Sequence, residues 1–184
     1  VVVDGNLIEA DVVISSADYQ HTETKLLEPA YRTYSDTYWA KRVMAPSCLL
    51  YYVGLNKKLS HVPHHTLFFD TDFKKHGAEI YTHPKWPTDP LFYVSVTTVT
   101  DPSGAPEGCE NMFFLIPVAA DLNGDSEEVR EQYFQQIVKR FEARTGETIA
   151  SNIIYKKSFS VSDFKTEYNA FRGNAYGLAN TLLQ

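Results

Sequence analysis

Residues 91–118 read LFYVSVTTVTDPSGAPEGCENMFFLIPV, and this stretch decides the fold. Aromatic and β-branched side chains alternate through residues 91–100 with a period of two, which is typical of a strand. Residues 101–111 are rich in turn formers, so the apolar run of residues 112–118 is expected to return antiparallel to the first strand and to end near Pro117. The stretch therefore predicts two paired strands.

Apolar runs predict further strands on both sides of this pair. Asp4-Gly5 stands between two apolar runs, which is a hairpin signal for strands over residues 1–3 and 7–14. Residues 48–55 are apolar at successive positions, so they predict a strand in the interior of the sheet. Shorter strands are expected over residues 66–69 and 149–157.

Helices are expected where capping residues precede periodic apolar positions. The clearest covers residues 125–145, where Asp125 with Glu128 resembles a capping box and Gly146 fits the C-terminal cap. The other expected helices cover residues 18–27, 35–44, 73–81, 160–168 and 175–184. Because these elements do not follow a βαβ rhythm, the sequence predicts an α+β domain with a mixed, largely antiparallel sheet flanked by helices.

Composition and charge exclude several classes of function. The 184 residues are 43% hydrophobic, and 17 basic against 23 acidic side chains give a net charge of −6, which argues against nucleic-acid binding. No run approaches the roughly 18 apolar residues that a spanning helix needs. Cys48 and Cys109 form neither a disulfide framework nor a zinc motif. We therefore expect a cytoplasmic protein that at most rests on a membrane surface.

Motifs for metal, nucleophilic and phosphate chemistry are not found in the sequence. His61, His64 and His65 cluster around Pro63 in a loop, without a carboxylate or a cysteine at ligand spacing, so they do not predict a metal site. There is no Gly-x-Ser-x-Gly elbow, no Gly-x-Gly-x-x-Gly fingerprint and no Walker-type lysine loop. A complete nucleotide-binding half is therefore not expected within these residues.

Aromatic residues make up 14% of the chain and occur in doublets on the predicted strands. Because successive strand residues face opposite ways, each doublet places one ring on each face of the sheet. One face is then ordinary core, whereas the other either lines a cleft or is covered by further helices; both arrangements stay open here. The candidate substrate-binding residues are Tyr51, Tyr52, Phe92, Tyr93, Phe113 and Phe114.

Several segments together resemble the bacterial-type phytoene desaturase family, also called phytoene dehydrogenases or carotenoid desaturases, within the flavin-dependent amine-oxidase-like superfamily. Residues 9–18, EADVVISSAD, are similar to that family's ADVVVSNAD strand and turn. The likeness continues, in the family's order and spacing, through LYYVGL (50–55), HHT (64–66), VTDPS (99–103), APEGC (105–109), LIPV (115–118), NAF (169–171) and GNAYGL (173–178). It covers nearly the whole chain.

This resemblance implies a substrate domain of an FAD-linked oxidoreductase, in which a mixed sheet roofs the flavin and helices guard an apolar tunnel for a long polyene. It implies oxidation of a C40 or related acyclic carotenoid by hydride transfer to FAD, with loss of a proton from the adjacent carbon. The implied partners are a lipophilic carotenoid and, through peripheral contact, the cytoplasmic membrane.

The resemblance also implies boundaries within a longer protein. Residues 1–18 correspond to the end of a flavin-domain strand and its junction, and residues 19–184 to the substrate-binding domain. The flavin-binding segments are expected before residue 1 and after residue 184. FAD is therefore expected in the full-length parent and not on these residues alone, and the remainder of the same chain is the expected partner.

Polar site residues are carried over position by position. Ser15, Ser16 and Ala17 are expected at the flavin junction, and Ser16 stands where many relatives have Asn. Asp101 and Glu107 are the candidate catalytic residues near the cleft. Asp101 at a strand end suits an Asx-turn, but beside an apolar cleft its carboxylate could also act as an acid or base, or stabilise a developing positive charge.

Two other functions stay open on this basis. One is a free-standing lipid- or pigment-binding module without redox activity, and the other is a flavin oxidoreductase that acts on another isoprenoid or on an amine. A dinucleotide fingerprint encoded upstream of residue 1 would favour an enzyme over the binding module. Assays of the full-length protein on phytoene and its products would separate the two enzymes.

Overall fold

A single five-stranded sheet organises the fold. In the computed structural model, which describes residues 1–182, its strands are β3 Ser47–Leu55, β4 His65–Phe68, β5 Phe92–Val96, β6 Glu110–Val118 and β7 Ile153–Phe159. They lie in the order β4-β5-β6-β3-β7, and each neighbouring pair is antiparallel. A separate hairpin is formed by β1 Val2–Val3 and β2 Asn6–Leu7. The expected α+β class is confirmed.

The strand pair expected from residues 91–118 is confirmed at the centre of this sheet. β5 pairs with β6 from Tyr93 opposite Leu115 to Val96 opposite Met112. On its other side β6 pairs with the whole of β3, and Pro117 lies one residue before its end at Val118. Because β6 is hydrogen-bonded on both edges, it fixes the positions of both neighbours.

Residues 1–182 also form five α-helices: α1 Tyr19–His21, α2 Asp36–Ala40, α3 Phe73–Tyr81, α4 Glu127–Thr145 and α5 Val161–Glu167. A π-helical turn, Thr22–Leu26, directly follows α1. Asp18, Ser35 and Asp72 accept backbone N–H bonds at the starts of α1, α2 and α3. Gly146 ends α4 in the left-handed conformation, at φ 75°, as expected for a C-terminal cap.

The hydrophobic core lies between one face of the sheet and α4. Phe114 of β6 is fully buried, and its ring centroid lies 6.3 Å from that of Phe134 and 5.8 Å from that of Phe141. Tyr51 of β3 packs beside them and donates a 2.6 Å hydrogen bond from its hydroxyl to the Arg130 carbonyl. The apolar stripe of α4 therefore meets the sheet as the sequence predicts.

The second N-terminal strand is shorter than expected. β2 ends at Leu7, and residues 8–14 do not form a strand although five of the seven are apolar. A strand needs a hydrogen-bonded neighbour, and no strand among the described residues lies beside this segment. Its apolar side chains are consequently exposed, with Ile14 at 92%.

The expectation that Asp125 caps α4 is wrong. The Ser126 hydroxyl accepts the Val129 N–H at 3.4 Å and is the N-cap, so the helix begins at Glu127. The Asp125 carboxylate instead pairs with the Arg130 guanidinium. The Asp125 carboxylate therefore forms an ion pair with Arg130 instead of the capping bond that the sequence predicts.

The helix expected over residues 175–184 is also not formed within the described residues, which end at 182. Leu178 makes an antiparallel bridge with Met44. The Ala45 N–H bonds to the Gly177 carbonyl at 2.9 Å, and the Ala175 N–H to the Pro46 carbonyl at 3.0 Å. This segment thus satisfies its backbone groups against residues 43–46 instead of within a helix. Residues 183–184 lie outside the described residues.

No helix within residues 1–182 has the length and apolar composition that crossing a membrane requires.

A buried ionic network joins α4 to β7 and α5. The Arg130 guanidinium binds both oxygens of Asp125, at 2.7 and 2.9 Å, and reaches Asp163 at 2.8 Å. It also donates to the hydroxyls of Ser158 and Ser162. Burial alone would raise the pKa of Asp125, but the bonds from Arg130 and Ser162 outweigh it and hold that pKa below its usual value. Asp125 and Arg130 are therefore both charged at neutral pH.

Replacing Arg130 by Ala is expected to lower the free energy of unfolding by about 3–5 kcal/mol, because Asp125 would be left buried without its partner. Urea denaturation at pH 7 measures the loss. Arg144→Ala is the matched control, since Arg144 is mostly exposed and pairs only at the surface with Asp70. Equal losses of unfolding free energy in the two variants would contradict the conclusion that Arg130 neutralises a buried carboxylate.

A second buried polar residue, His76 of α3, bridges β6 and the residue that precedes β5. The Pro117 carbonyl can only accept, so the His76 Nε2 carries the hydrogen of their 2.9 Å bond. The Nδ1 accepts the Leu91 N–H at 3.0 Å. His76 is therefore neutral in the folded protein, and burial lowers its pKa although the bond to Pro117 acts in the opposite direction.

This state of His76 makes stability depend on pH. The pKa of His76 is lower in the folded protein than in the unfolded chain, where it is about 6.5. Between these two pKa values the unfolded chain binds more protons than the folded protein. The free energy of unfolding therefore decreases as the pH falls below about 6.5. We expect the unfolding free energy of the wild type to fall more steeply between pH 7.5 and pH 5.5 than that of His76→Gln, measured by urea denaturation. His83→Gln, at an exposed position, should retain the wild-type slope.

Candidate functional site

The two faces of the five-stranded sheet differ in how they are covered. Tyr51 and Phe114 face α4 and are 1% and 0% exposed. Their sequence neighbours Tyr52 and Phe113 face the other way; Tyr52 is 42% exposed and Phe113 is half-buried. The prediction that each doublet divides its rings between the two faces is confirmed, and we call the second side the open face.

A continuous row of rings crosses the open face from β3 to β4. Tyr52 and Phe113 are direct cross-strand partners with ring centroids 5.3 Å apart, and Phe113 lies 6.4 Å from Tyr93 of β5. Tyr93 in turn lies 5.9 Å from His65 of β4, whose ring stacks on that of His64 at 4.0 Å. We call these five residues the ring row. From β3 to β4 the ring row crosses three interstrand distances, which together span about 14 Å.

One end of the ring row is apolar. Leu50 and Leu115 are cross-strand partners beside Tyr52 and Phe113, and Leu50 also pairs with Phe159 of β7. Burial raises the pKa of Tyr52, and nearby Tyr168 adds to the effect, so the Tyr52 hydroxyl stays neutral. This end offers apolar contact area, with Lys157 of β7 beside Tyr52 as its cross-strand partner on the same face.

The other end of the ring row is polar. The Tyr93 hydroxyl and the His65 Nδ1 share a 2.6 Å hydrogen bond. The His64 Nδ1 and the Thr100 hydroxyl share another, at 2.7 Å. Two imidazoles are thus fixed by one ring nitrogen each, at the edge strand of the open face.

Three of the candidate substrate-binding residues lie elsewhere. Tyr51, Phe92 and Phe114 pack in the core with α4 or with Phe68, and each is at most 2% exposed. They support the sheet from behind and do not reach the open face. The expectation of substrate contact is therefore retained only for Tyr52, Tyr93 and Phe113.

The candidate catalytic carboxylates lie in the loop between β5 and β6. Asp101 is exposed, and its carboxylate accepts the Ser103 N–H at 3.0 Å and the Ser103 hydroxyl at 2.6 Å. These bonds lower the pKa of Asp101, so it is ionised and already engaged in the Asx-turn that starts the short helical turn Pro102–Gly104. Glu107 is exposed on the same loop. No ring contact or hydrogen bond joins either carboxylate to the ring row among the described residues.

The residues expected at a cofactor junction border a separate pocket. Ser16 and Ala17 line an opening of about 450 Å³ together with Tyr168, Asn174 and Gly177. Asn174 is buried and donates to the Asp18 carboxylate at 3.2 Å and to the Phe171 carbonyl at 2.8 Å. Ser15 instead contacts Thr22 through their hydroxyls, at 2.9 Å. Two segments far apart in sequence thus form one wall.

The sequence alone does not single out Asn174 or the pairing of His65 with Tyr93. The histidines stand out only as a cluster, and their contact with Tyr93 depends on the β4–β5 register, in which His65 lies opposite Ser95. The alternation of side-chain direction along β4 and β5 is the one sequence signal that could have indicated that His65 and Tyr93 share a face. No group of three or more metal-binding side chains is found among the residues that the structure describes.

Comparison with known proteins identifies relatives along almost the whole chain. The chain is 41% identical over 182 residues to a carotenoid 3,4-desaturase of Haloarcula japonica, covering 99% of this chain and 37% of that protein. It is 32% identical to a lycopene-forming phytoene desaturase of a Paracoccus species and 29% identical to a zeta-carotene-forming phytoene desaturase of Myxococcus xanthus, covering 98% of this chain in both cases. These matches cover 37% and 35% of those two proteins, so the chain spans about a third of the length of such relatives. No family model matches.

The two faces predict different effects of neighbouring substitutions. Phe114→Ala should lower the free energy of unfolding by about 3–5 kcal/mol, because it leaves a cavity in the core. Phe113→Ala should cost clearly less, since its ring is half-buried on the open face. Urea denaturation of both variants checks this, and a larger loss at Phe113 would mean that the open face is the principal core.

Proposed function

The homologues of this chain are carotenoid and phytoene desaturases, and on that premise we propose that it is the substrate side of an FAD-dependent desaturase that oxidises a long polyene. The observation that carries the proposal is the ring row on an open sheet face. The relatives, which are carotenoid and phytoene desaturases, supply the substrate class, a lipophilic carotenoid. Phytoene-type desaturation by hydride transfer to flavin is the activity proposed for the full-length protein.

The ring row suits a hydrocarbon ligand. A polyene offers no hydrogen bonds, so it is held by apolar contact, at about 25 cal/mol for each Å² removed from water. Tyr52, Phe113 and Tyr93 present broad rigid rings, and Leu50 and Leu115 fill the gaps beside them. These side chains would orient the chain of the substrate and exclude water from its reacting carbons.

The pocket at residues 16–18 fits one edge of a flavin but not a whole dinucleotide. Ala17 and Gly177 leave room for a planar ring, since a Cβ at Gly177 would meet nothing within 4 Å. The Asn174 amide already holds the wall together through Asp18. No glycine-rich cradle for a pyrophosphate accompanies them in the sequence. When bound, FAD would accept a hydride from the substrate.

Ser16 and Ala17 are the residues that we propose to contact the flavin, with Ser15 placed beside them by its bond to Thr22. Residues 1–18 would then be the junction to a flavin domain, and residues 19–184 the substrate domain. The exposed apolar residues 8–14 support this division, because a flavin-domain sheet would supply the missing strand partner. These residues alone are expected to purify without bound flavin.

Contact of the full-length protein with the cytoplasmic face of a membrane is part of the same proposal. A carotenoid dissolves in the lipid phase, so an enzyme that withdraws it must approach the bilayer surface. Such contact is peripheral in this proposal.

The test is desaturation of phytoene by the full-length, FAD-loaded protein, followed by chromatography of the products. The double variant Tyr52→Ser/Phe113→Ser should lower kcat/KM about tenfold or more, since burial of each aromatic side chain contributes roughly 1.5–3 kcal/mol. Tyr81→Ser, at an exposed position of α3, is the control and should act as the wild type.

Other outcomes would select the alternatives. Polyene binding without turnover by the flavin-loaded protein would favour a pigment-binding module. Turnover of an amine, or of an isoprenoid outside the carotenoids, with none of phytoene and its desaturation products, would favour the other flavin oxidoreductases. Full activity of the double variant would show that the ring row is not part of the substrate site.

A further inference from the structure

An apolar pocket lies on the open face at the end of β3 that is farther from the pocket at Ser16 and Ala17. We call it the end pocket, and we call the pocket at Ser16 and Ala17 the junction pocket. The end pocket has a volume of about 230 Å³, and its lining includes Tyr52, Gly54, Ala105, Pro106, Cys109 and Tyr155. A dry cavity of about 150 Å³ holds benzene, so the end pocket has room for a somewhat larger hydrocarbon group.

Gly54 leaves the floor of the end pocket open. It is an interior residue of β3, and a glycine inside a strand often marks the close approach of a ligand or of another backbone. A Cβ atom at this position would lie 3.3 Å from the Tyr155 Cβ and 3.9 Å from the Ile154 Cγ1. Among the described residues that are not its chain neighbours, only these two come within 4 Å of that position. The space above Gly54 is therefore part of the pocket and is not filled by the loop between β5 and β6.

The loop between β5 and β6 forms the roof of the end pocket. Asn111 is the cross-strand partner of Gly54, and its side-chain amide donates to the Gly104 carbonyl at 3.4 Å. The backbone N–H and the hydroxyl of Ser103 donate to Asp101 and fix the turn just before the roof. The roof is thus tied both to the sheet and to itself, and its position is defined.

Glu110 borders the end pocket without presenting its charge to it. Because alternate strand residues share a face, the Glu110 side chain lies on the same side of β6 as the buried Met112. There its carboxylate accepts the Thr98 hydroxyl and, at 3.3 Å, the Leu59 N–H. A hydrocarbon group could therefore enter the end pocket without displacing this carboxylate.

Strand β3 leads from the junction pocket to the end pocket. Ala175 lines the junction pocket, and its N–H bonds to the Pro46 carbonyl at 3.0 Å, one residue before β3 begins. From Pro46 to Gly54 an extended chain spans roughly 25 Å. Leu50 and Tyr52 lie between these points on the open face. An extended hydrocarbon with one end over Gly54 would pass both side chains and reach the junction pocket.

We propose that the end pocket receives one end of the acyclic polyene and thereby determines which carbons lie beside the flavin. This inference rests on the proposed function and adds to it the position of the substrate chain. The ends of such a polyene are branched hydrocarbon units, which a pocket recognises by volume and apolar contact. Tyr52 belongs both to the ring row and to the end pocket, so the apolar surface is continuous between them. The distance between the two pockets then fixes how many carbons separate the bound end from the flavin.

The experiment fills the end pocket by Ala105→Phe in the full-length, FAD-loaded protein. Two acyclic polyenes are compared as substrates, phytoene and an analogue shortened by one isoprene unit at each end. In the variant the added ring excludes the end of phytoene, whereas the shorter chain still fits. We expect the ratio of kcat/KM for phytoene to kcat/KM for the shorter analogue to fall about tenfold or more, because the contact area of a branched apolar group is lost.

Ala150→Phe is the matched control. It makes the same change of size at an exposed position of the short helical turn Ala150–Asn152, outside the end pocket and the junction pocket. This variant should keep the wild-type ratio. Because both substrates are assayed with one protein preparation, partial unfolding of a variant lowers both rates together and leaves the ratio unchanged.

A second readout uses the Cys109 thiol and does not depend on turnover. Cys109 is half-buried in the wall of the end pocket, whereas Cys48 is 2% exposed and burial raises its pKa to about 11. Iodoacetamide should therefore alkylate Cys109 and leave Cys48 unmodified, as peptide mass spectrometry would show. Lipid vesicles that contain phytoene should slow the modification of Cys109 severalfold, compared with the same vesicles without phytoene.

Each result decides the inference. An unchanged substrate ratio in Ala105→Phe, or alkylation of Cys109 that phytoene does not slow, overturns it while the desaturase function stands. An equal change of the ratio in Ala150→Phe also overturns it, since the effect would then not come from the end pocket. Absence of desaturation by the wild-type enzyme overturns the proposed function, and this inference with it.

Discussion

Nine consecutive residue pairs between β3 and β6 hold the rest of the structure in place. Direct partners in an antiparallel pair share a face, so Tyr51 and Phe114 lie on one side and Tyr52 and Phe113 on the other. A slip of one residue would exchange these two sets and turn the core rings toward solvent. The register is specified because α4 covers only one face, where Phe114 fits between two rings of the helix.

The position of α4 follows from polar contacts as well as from apolar packing. Arg130 ties the helix to β7 through Ser158 and to α5 through Asp163, and its carbonyl accepts the Tyr51 hydroxyl. Buried charges of this kind add little net stability but are costly to misplace, so they favour one arrangement over others. With α4 held on the core side, other segments cover parts of the opposite face: α5 packs Phe164 against Phe159, and Tyr176 contacts the buried Cys48 of β3.

Much of the sheet could be predicted from the sequence, since the period of two in residues 91–100 and the apolar run 112–118 identify β5, β6 and their pairing. The doublets also show that two faces carry rings. They cannot show which ring of a doublet is buried, because both residues are aromatic, and so Tyr51, Phe92 and Phe114 could not be separated from the open-face rings. The capping role that the sequence predicts for Asp125 is wrong for a similar reason. A local capping pattern contains no information about Arg130, the ion-pair partner one turn further along the chain.

The composition of the ring row explains how an exposed face can also be a selective one. Leucine side chains would bind a hydrocarbon equally well, but a row of them would favour aggregation in water, whereas Tyr and His expose polar atoms at the rim. A flat polyene can lie along such rings without any of them leaving its position. Hydrogen bonds fix one ring nitrogen of His64 and one of His65, so this polar rim keeps its position at β4. The register that hides Phe114 therefore also determines which rings and which polar rims share the open face.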